Sequence, residues 1–233
     1  MAIWANWQSE MNALTRKMLS GDRSLVSSLV IVIGLATLPI AHVIGAEPSP
    51  ALSKVFSAQP AGEYMLDRTH ASVVWRVAHM GLSRYTARFD KMDGKLDFRP
   101  GSAASSSVEF TIETASVNTG IVPFNRQLMD AEWFDGTKQP TIRFRSTGME
   151  AVGGNQYRLS GGLTMRGVTK PVVWDVTFNG GLYNTFMQAN AIGFSAKTTL
   201  KRSDWGMTKL IPLVGDEVEV EVEVEFLNRP TTG

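Results

Sequence analysis

Asp67, His70 and His79 are the residues whose types and spacing come nearest to a reacting or metal-binding set in this 233-residue chain. A carboxylate with two imidazoles can move a proton near neutral pH or hold a divalent cation. Asp67-Arg68-Thr69-His70 reads as a tight turn, and His79 lies nine residues beyond His70, so the three meet only if the strand doubles back. Without that fold-back, His70 is a turn residue bonded to backbone and His79 is a polar stop at a barrel mouth. Residue types for a Ser-His-Asp triad are present, but the strained G-x-S-x-G elbow that exposes such a serine is missing. Cysteine is absent, which excludes disulfides, thiolate metal sites and a thiol nucleophile. No catalytic residue, metal or resident cofactor is therefore assigned.

Other chemistry-bearing groups are sparser still. Gly161, Gly162 and Gly167 surround Leu163-Thr164-Met165-Arg166 without a helical pattern after them, so they read as close strand packing and a turn, not as a phosphate cradle. Arg126, Arg202 and Lys209 fall in expected loops or at strand ends, where a cation can meet an anionic head group. With His79, Arg126 and Arg202 are the head-group candidates. Once residues 1–46 are set aside, basic and acidic side chains are equal in number, which gives no electrostatic reason to expect nucleic acid.

The elements that must position these groups are strands. Asp216 to Phe226 reads D-E-V-E-V-E-V-E-V-E-F, one wet face and one dry face at a period of two. At roughly 3.3 Å per residue the run spans about 36 Å, the length of a barrel stave. The same alternation recurs upstream. Trp75 and Val77 share a face with Val73 and His79, and Phe110 and Ile112 alternate with Thr111 and Glu113. Leu96 and Phe98 follow Gly94, where the strand is expected to bend. Phe144 alternates with Arg143 and Arg145, and Gly153-Gly154-Asn155 is a hairpin signal leading to Leu159 and Leu163. Trp174 and Val176 precede a run with Phe194. On the last strand Val220, Val222 and Phe226 share the dry face, while its glutamates need basic neighbours such as Arg76 or Lys197.

These runs predict an all-β fold, an eight-stranded antiparallel barrel, because strand-helix alternation is missing and closure removes the exposed edge of a long Val-rich strand. Val122 to Asp135 has near-helical spacing and is expected to form one short capping helix. Leu25 to Ala46 carries no charged side chain and follows Arg16, Lys17 and Arg23, the pattern of an export signal or an uncleaved signal anchor. Residues 47–62, with Pro48, Pro50 and Pro60, read as a linker, 63–228 as the barrel and 229–233 as a tail. An eight-stranded barrel is wide enough either to be filled by its own side chains or to hold one slim ligand. Periodicity does not choose between them.

The motifs also resemble the YceI-like family of exported polyisoprenoid-binding proteins with a lipocalin-like barrel. The resemblance covers Tyr64 to Leu227 and rests on Y-M-L-D-R-T-H-A-S-V with H-M-G at His79 to Gly81, W-F-D at Trp133 to Asp135 and P-T-I-R-F-R-S-T from Pro140. Further on come G-L-T-M-R-G-V-T-K-P-V from Gly162, R-S-D-W-G from Arg202 and V-G-D-E-V-E-V from Val214. Where many members look like D-x-H-L ahead of W-F-D, this chain has Asn125-Arg126-Gln127-Leu128. The resemblance implies a barrel whose bore holds one isoprenoid or similar long-chain lipid, with a quinone or fatty-acid-like lipid in the same class, and implies no catalytic activity. The export pattern places the barrel in the periplasm if the organism is a diderm bacterium. Two rivals stay open at this point. One is an enzyme acting on an isoprenoid or quinone through Asp67, His70 and His79. The other is an interaction protein with a filled barrel, tethered through Leu25 to Ala46; a homodimer is compatible with either.

Overall fold

In the computed structural model, residues 51–229 are described; the expected signal segment, the first part of the linker and most of the tail lie outside them. The described residues all belong to one compact unit. Its strands are β1 (Gly62–His79), β2 (Ser83–Phe89), β3 (Met92–Phe98), β4 (Ser107–Glu113), β5 (Val117–Asn118), β6 (Thr141–Gly153), β7 (Gln156–Met165), β8 (Val168–Asn184), β9 (Ala189–Lys201) and β10 (Val214–Asn228), with one α-helix, α1 (Val122–Leu128).

Every pairing is antiparallel, in the order β10-β9-β8-β7-β6-β4-β3-β1, and β1 returns to β10 to close the sheet. The seam runs from Met65 opposite Leu227 to His79 opposite Val214, interrupted by a bulge between Leu66 and Ala71. β2 and β3 lie one after the other along the other side of β1, β2 against Val73–His79 and β3 against Gly62–Met65. They are two halves of one stave, and β5 extends the next stave beside β2. The fold is thus an eight-stave antiparallel barrel.

The alternation of β10 is realised as the sequence demands. Val224 and Phe226 are buried, while Val218, Val220 and Val222 face inward yet keep some accessible surface. On the outer face Arg76 holds Glu221 at 2.8 Å, Arg84 pairs with Glu219 and the Ser195 hydroxyl donates to Glu223 at 2.6 Å. These contacts relieve the repulsion among glutamates that stand about 7 Å apart on one face. Lys197 stands opposite Glu221 in register without forming an ion pair among the described residues.

Three local expectations differ from what the chain does. The bend in the β2–β3 stave falls at Asp90-Lys91, between the two strands, and not at Gly94; a Cβ on Gly94 would stand 3.0 Å from the Phe110 ring, so that glycine serves side-chain room. Helix α1 stops at Leu128, and turns carry the chain on through Trp133 to Asp135. The expected linker is not all tether. Phe56 is buried, with ring centroids 4.7 Å from Phe98, 5.0 Å from Tyr157 and 5.3 Å from Phe178, and together with Tyr64 and Ile192 these rings seal one end of the barrel. The Tyr64 hydroxyl donates to the Pro60 carbonyl at 2.8 Å, and burial pushes its pKa up to about 12.

Gly161 on β7 is required by packing. A methyl there would stand 2.5 Å from the Phe144 ring and closer still to the Arg145 carbonyl oxygen of the paired strand. Neither the ladder nor a core ring can move without disturbing the barrel wall, so Gly161→Ala is expected to destabilise the barrel by roughly 1–3 kcal/mol. Urea unfolding of the variant, compared with Gly148→Ala where nothing lies within 4 Å of the added methyl, measures the difference.

Candidate binding cavity and its mouth

The half-covered valines of β10 have a simple cause: the barrel is hollow. A cavity of ≈190 Å³ follows the bore. Trp75, Phe110 and Ile112 line it from one side, Phe144, Leu163, Trp174 and Val176 from another, and Phe194, Val220, Val222 and Phe226 complete the wall. Ser106 and Ser107 are the polar residues in that lining. Val77, the remaining inward residue of the sequence reading, lies nearer the open end and lines a second cavity of ≈410 Å³. Trp75, Phe134, Met165, Leu200 and Val218 border both spaces, so the second is the mouth of the first.

Three segments build this mouth: the β1–β2 hairpin with His79 and Tyr85, helix α1 with Phe124, Gln127 and Leu128, and the loop before β10 with Met207 and Leu210. Arg202 holds that loop. Its Nε donates to the Gly215 carbonyl at 2.8 Å, Nη1 to Met207 at 2.7 Å, and Nη2 to Lys209 and Val214 at 2.9 Å each. The guanidinium is buried and lies 5.7 Å over the Trp133 ring. Burial pushes its pKa down, and the Asp216 carboxylate opposes that shift. With four of its five N–H donors committed to backbone, Arg202 is an anchor of the mouth although it lines the cavity. Arg126 is exposed on α1 and lines neither space. Lys209 pairs with Glu132. Of the three head-group candidates, His79 is the one at the open rim of the mouth cavity.

Arg166 plays a second anchoring role that the sequence did not reveal. It sits at positive φ in the β7–β8 turn, where its Nε donates to the Trp205 carbonyl at 2.9 Å and Nη1 to those of Ala131, at 2.7 Å, and Trp133. The turn is thereby tied to two loops remote in sequence. An R-G dipeptide at a hairpin signals the turn, but nothing in it signals those acceptors. Three buried indole N–H groups, those of Trp75, Trp133 and Trp174, have no acceptor among the described residues. Trp75 and Trp174 line the bore, and Trp133 lines the mouth.

The set that opened the sequence reading does not assemble. β1 runs on from the bulge to its end without doubling back, which leaves His70 and His79 about 30 Å apart along a strand. Glu225 of β10 takes the third place, and ligating atoms of Asp67, His70 and Glu225 lie within 4.8 Å of one another. This trio could hold a cation, but Asp67 and His70 Nδ1 are already engaged in fixing the bulge. Asp67 Oδ1 accepts from the Thr69 N–H at 2.9 Å and hydroxyl at 2.6 Å, while Oδ2 lies 2.8 Å from His70 Nδ1. Neither cavity reaches it.

Burial pushes the Asp67 carboxyl up, but hydrogen bonds from Thr69 and His70 outweigh it and hold the carboxyl below its usual range. The hydrogen bond to Asp67, aided by the charges of Asp67 and Glu225, raises the His70 pKa. A raised histidine contributes stability that is fully present below its unfolded pKa near 6.5 and is lost as pH rises through the folded value. His70 is largely exposed, so the contribution stays under about 1 kcal/mol. His70→Gln is therefore expected to lower stability at pH 5.5 and to leave it nearly unchanged at pH 8.5, as read by urea unfolding at both values.

Comparison with known proteins agrees with this geometry. Residues 64–226 match the model of the YceI-like domain. A UPF0312 protein of Vibrio cholerae is 31% identical over 174 residues, covering 74% of this chain and 90% of that protein. One from Azotobacter vinelandii is 31% identical over 167 residues, covering 71% and 86%. The crystal structure of Burkholderia cenocepacia BcnA superposes with a TM-score of 0.62 at 27% identity, over 69% of this chain and 98% of that one. A polyisoprenoid binding domain from Saccharophagus degradans shares the fold, with a TM-score of 0.54 at 18% identity over 70% and 97%. By the extent of the domain match and by its relatives, the chain belongs to the YceI-like family.

Proposed function

We propose that this protein binds and carries one long-chain lipid, an isoprenoid or a molecule of similar shape, in the bore of the barrel and performs no chemistry on it. The observation that carries this reading is the apolar cavity in the bore, which shares Trp75, Phe134, Met165, Leu200 and Val218 with the cavity at the mouth, while rings around Phe56 fill the other end. Such a cavity suits a slim chain, whose transfer from water is favoured by about 25 cal/mol per Å² of apolar area buried. The domain of Saccharophagus degradans that shares the fold is itself described as polyisoprenoid binding; at that level of identity it supports the barrel and leaves the cargo to be argued from the bore.

The unpaired indoles refine the class. A buried donor without a partner costs about 1–3 kcal/mol, which an acceptor on the ligand offsets. A cargo bearing oxygen atoms at its head, such as a quinone or a polyprenol, supplies acceptors that a plain hydrocarbon lacks. Trp133 and Trp75 line the space beside the mouth, where a shift of the side chain would bring its buried N–H to such an acceptor, with His79 at the rim. The composition of residues 1–46 supports export, with periplasmic work on a membrane-derived lipid as its consequence. Against a catalytic reading stands the separation of His79 from Asp67 and His70 along β1.

Native mass spectrometry of protein purified without detergent tests the reading. A mass above that of the bare chain, or uptake of added polyprenol or ubiquinone, is expected. Val220→Trp, which projects an indole into the bore, is expected to lower uptake tenfold or more while urea unfolding stays cooperative. A bare mass that no added lipid changes would overturn the proposal.

A further inference from the structure

Large apolar side chains stand exposed on the same three segments that build the mouth. Met80 and Leu82 cap the β1–β2 hairpin, with Leu82 83% exposed; Ile121 and Val122 begin α1; and Leu210, Ile211 and Leu213 occupy the loop before β10, where the Met80 N–H donates to the Leu213 carbonyl at 2.6 Å. Isolated exposed apolar residues are ordinary, but several on adjoining loops around one opening are not.

Charge on these segments is one-sided. Residues 79–89, 117–129 and 205–215 contain no Asp or Glu, yet carry Arg84, Arg88, Arg126 and Lys209. Three of these cations are paired with carboxylates from neighbouring segments, Arg84 with Glu219, Arg88 with Asp90 and Lys209 with Glu132. Arg126 is exposed and belongs to no ion pair among the described residues. An apolar fringe beside an unpaired cation, Arg126, complements the acyl and phosphate layers of an anionic bilayer. The glutamates of β10, by contrast, face outward along the barrel wall, where such a surface would be repelled.

We infer that the mouth end of the barrel docks on an anionic phospholipid bilayer, with the β1–β2 hairpin, the start of α1 and the Leu210–Leu213 loop entering its interface. Resting on the lipid-carrier reading above, this docking gives the cargo a path from bilayer to bore that avoids water, because the fringe is continuous with the apolar lining of the mouth. The other end of the barrel also exposes an aromatic ring, Phe186 in the β8–β9 turn at 95%, but that end is sealed by Phe56, Tyr64, Phe98 and Phe178 and offers the cargo no entry.

Vesicle co-sedimentation of the compact unit from Ala46 onward tests the inference, using phosphatidylcholine vesicles with and without one quarter phosphatidylglycerol. The wild-type barrel is expected to partition at least fivefold more strongly onto the anionic vesicles. Leu82→Glu combined with Leu213→Glu is expected to weaken that partitioning tenfold or more, Ile121→Ser with Val122→Ser to weaken it severalfold, and Phe186→Ser to change it less than twofold. Circular dichroism and urea unfolding confirm that each variant is folded. No partitioning by the wild type, undiminished partitioning by both mouth variants, or dependence on Phe186 instead would overturn the inference. So would sedimentation equilibrium showing that the fringe joins two copies of the barrel and leaves vesicles unbound. A barrel that takes up polyprenol but ignores vesicles leaves the carrier reading standing and removes the docking alone.

Discussion

The hydrogen-bonded seam between β1 and β10 is the constraint on which the rest depends. Each of these long strands would otherwise present an unpaired edge to other chains. Joining them closes the sheet, fixes which face of every stave is interior, and turns a Val-rich alternation into the wall of a hollow tube. The bulge held by Asp67, Thr69 and His70 belongs to this seam. It absorbs extra residues of β1 while the register on either side keeps valine facing inward. The cluster that looked most like chemistry is thus accounted for by geometry, and its third member, the Glu225 carboxylate, comes from the strand on the far side of the seam.

Once closed, the tube differs at its two ends because of aromatic packing at one and arginine anchoring at the other. Phe56 packs tilted or edge-on against Phe98, Tyr157 and Phe178, with ring centroids 4.7, 5.0 and 5.3 Å away, and these rings fill that end. At the mouth, loops are held by guanidinium groups that bond to backbone carbonyls, Arg202 within the loop before β10 and Arg166 across to residues 131–133 and Trp205. Backbone acceptors anchor a loop without filling the space inside it. The mouth therefore stays open under a fixed rim, and the bore beneath keeps room for a chain.

Much of this was legible in the sequence, for a physical reason. A strand's period of two assigns each side chain to a face, so Trp75, Phe144, Trp174, Val220 and Phe226 could be placed on the inner wall before any neighbour was known. Gly153-Gly154-Asn155 fixed a hairpin in the same local way. Relations between distant residues were not legible. The capture of Phe56 by the barrel floor depends on rings as far away in sequence as Phe178, and the anchoring by Arg166 on carbonyls more than 30 residues away. Arg202 illustrates the limit: its position near a strand end suggested a free cation for a head group, whereas the loop that follows wraps around it and takes up its donors. Whether the bore was filled or hollow was likewise beyond periodicity, since both states have the same alternation.

The central claim is that the bore is an occupied lipid site in the working protein. A crystal structure of the barrel purified from its own host without detergent addresses it most directly. Continuous tubular density along Trp174, Phe194 and Val222, ending beside Trp133 and His79 with an oxygen within hydrogen-bond distance of an indole N–H, is the expected result. A bore collapsed onto its own side chains, with those indoles bonded to protein groups, would contradict it.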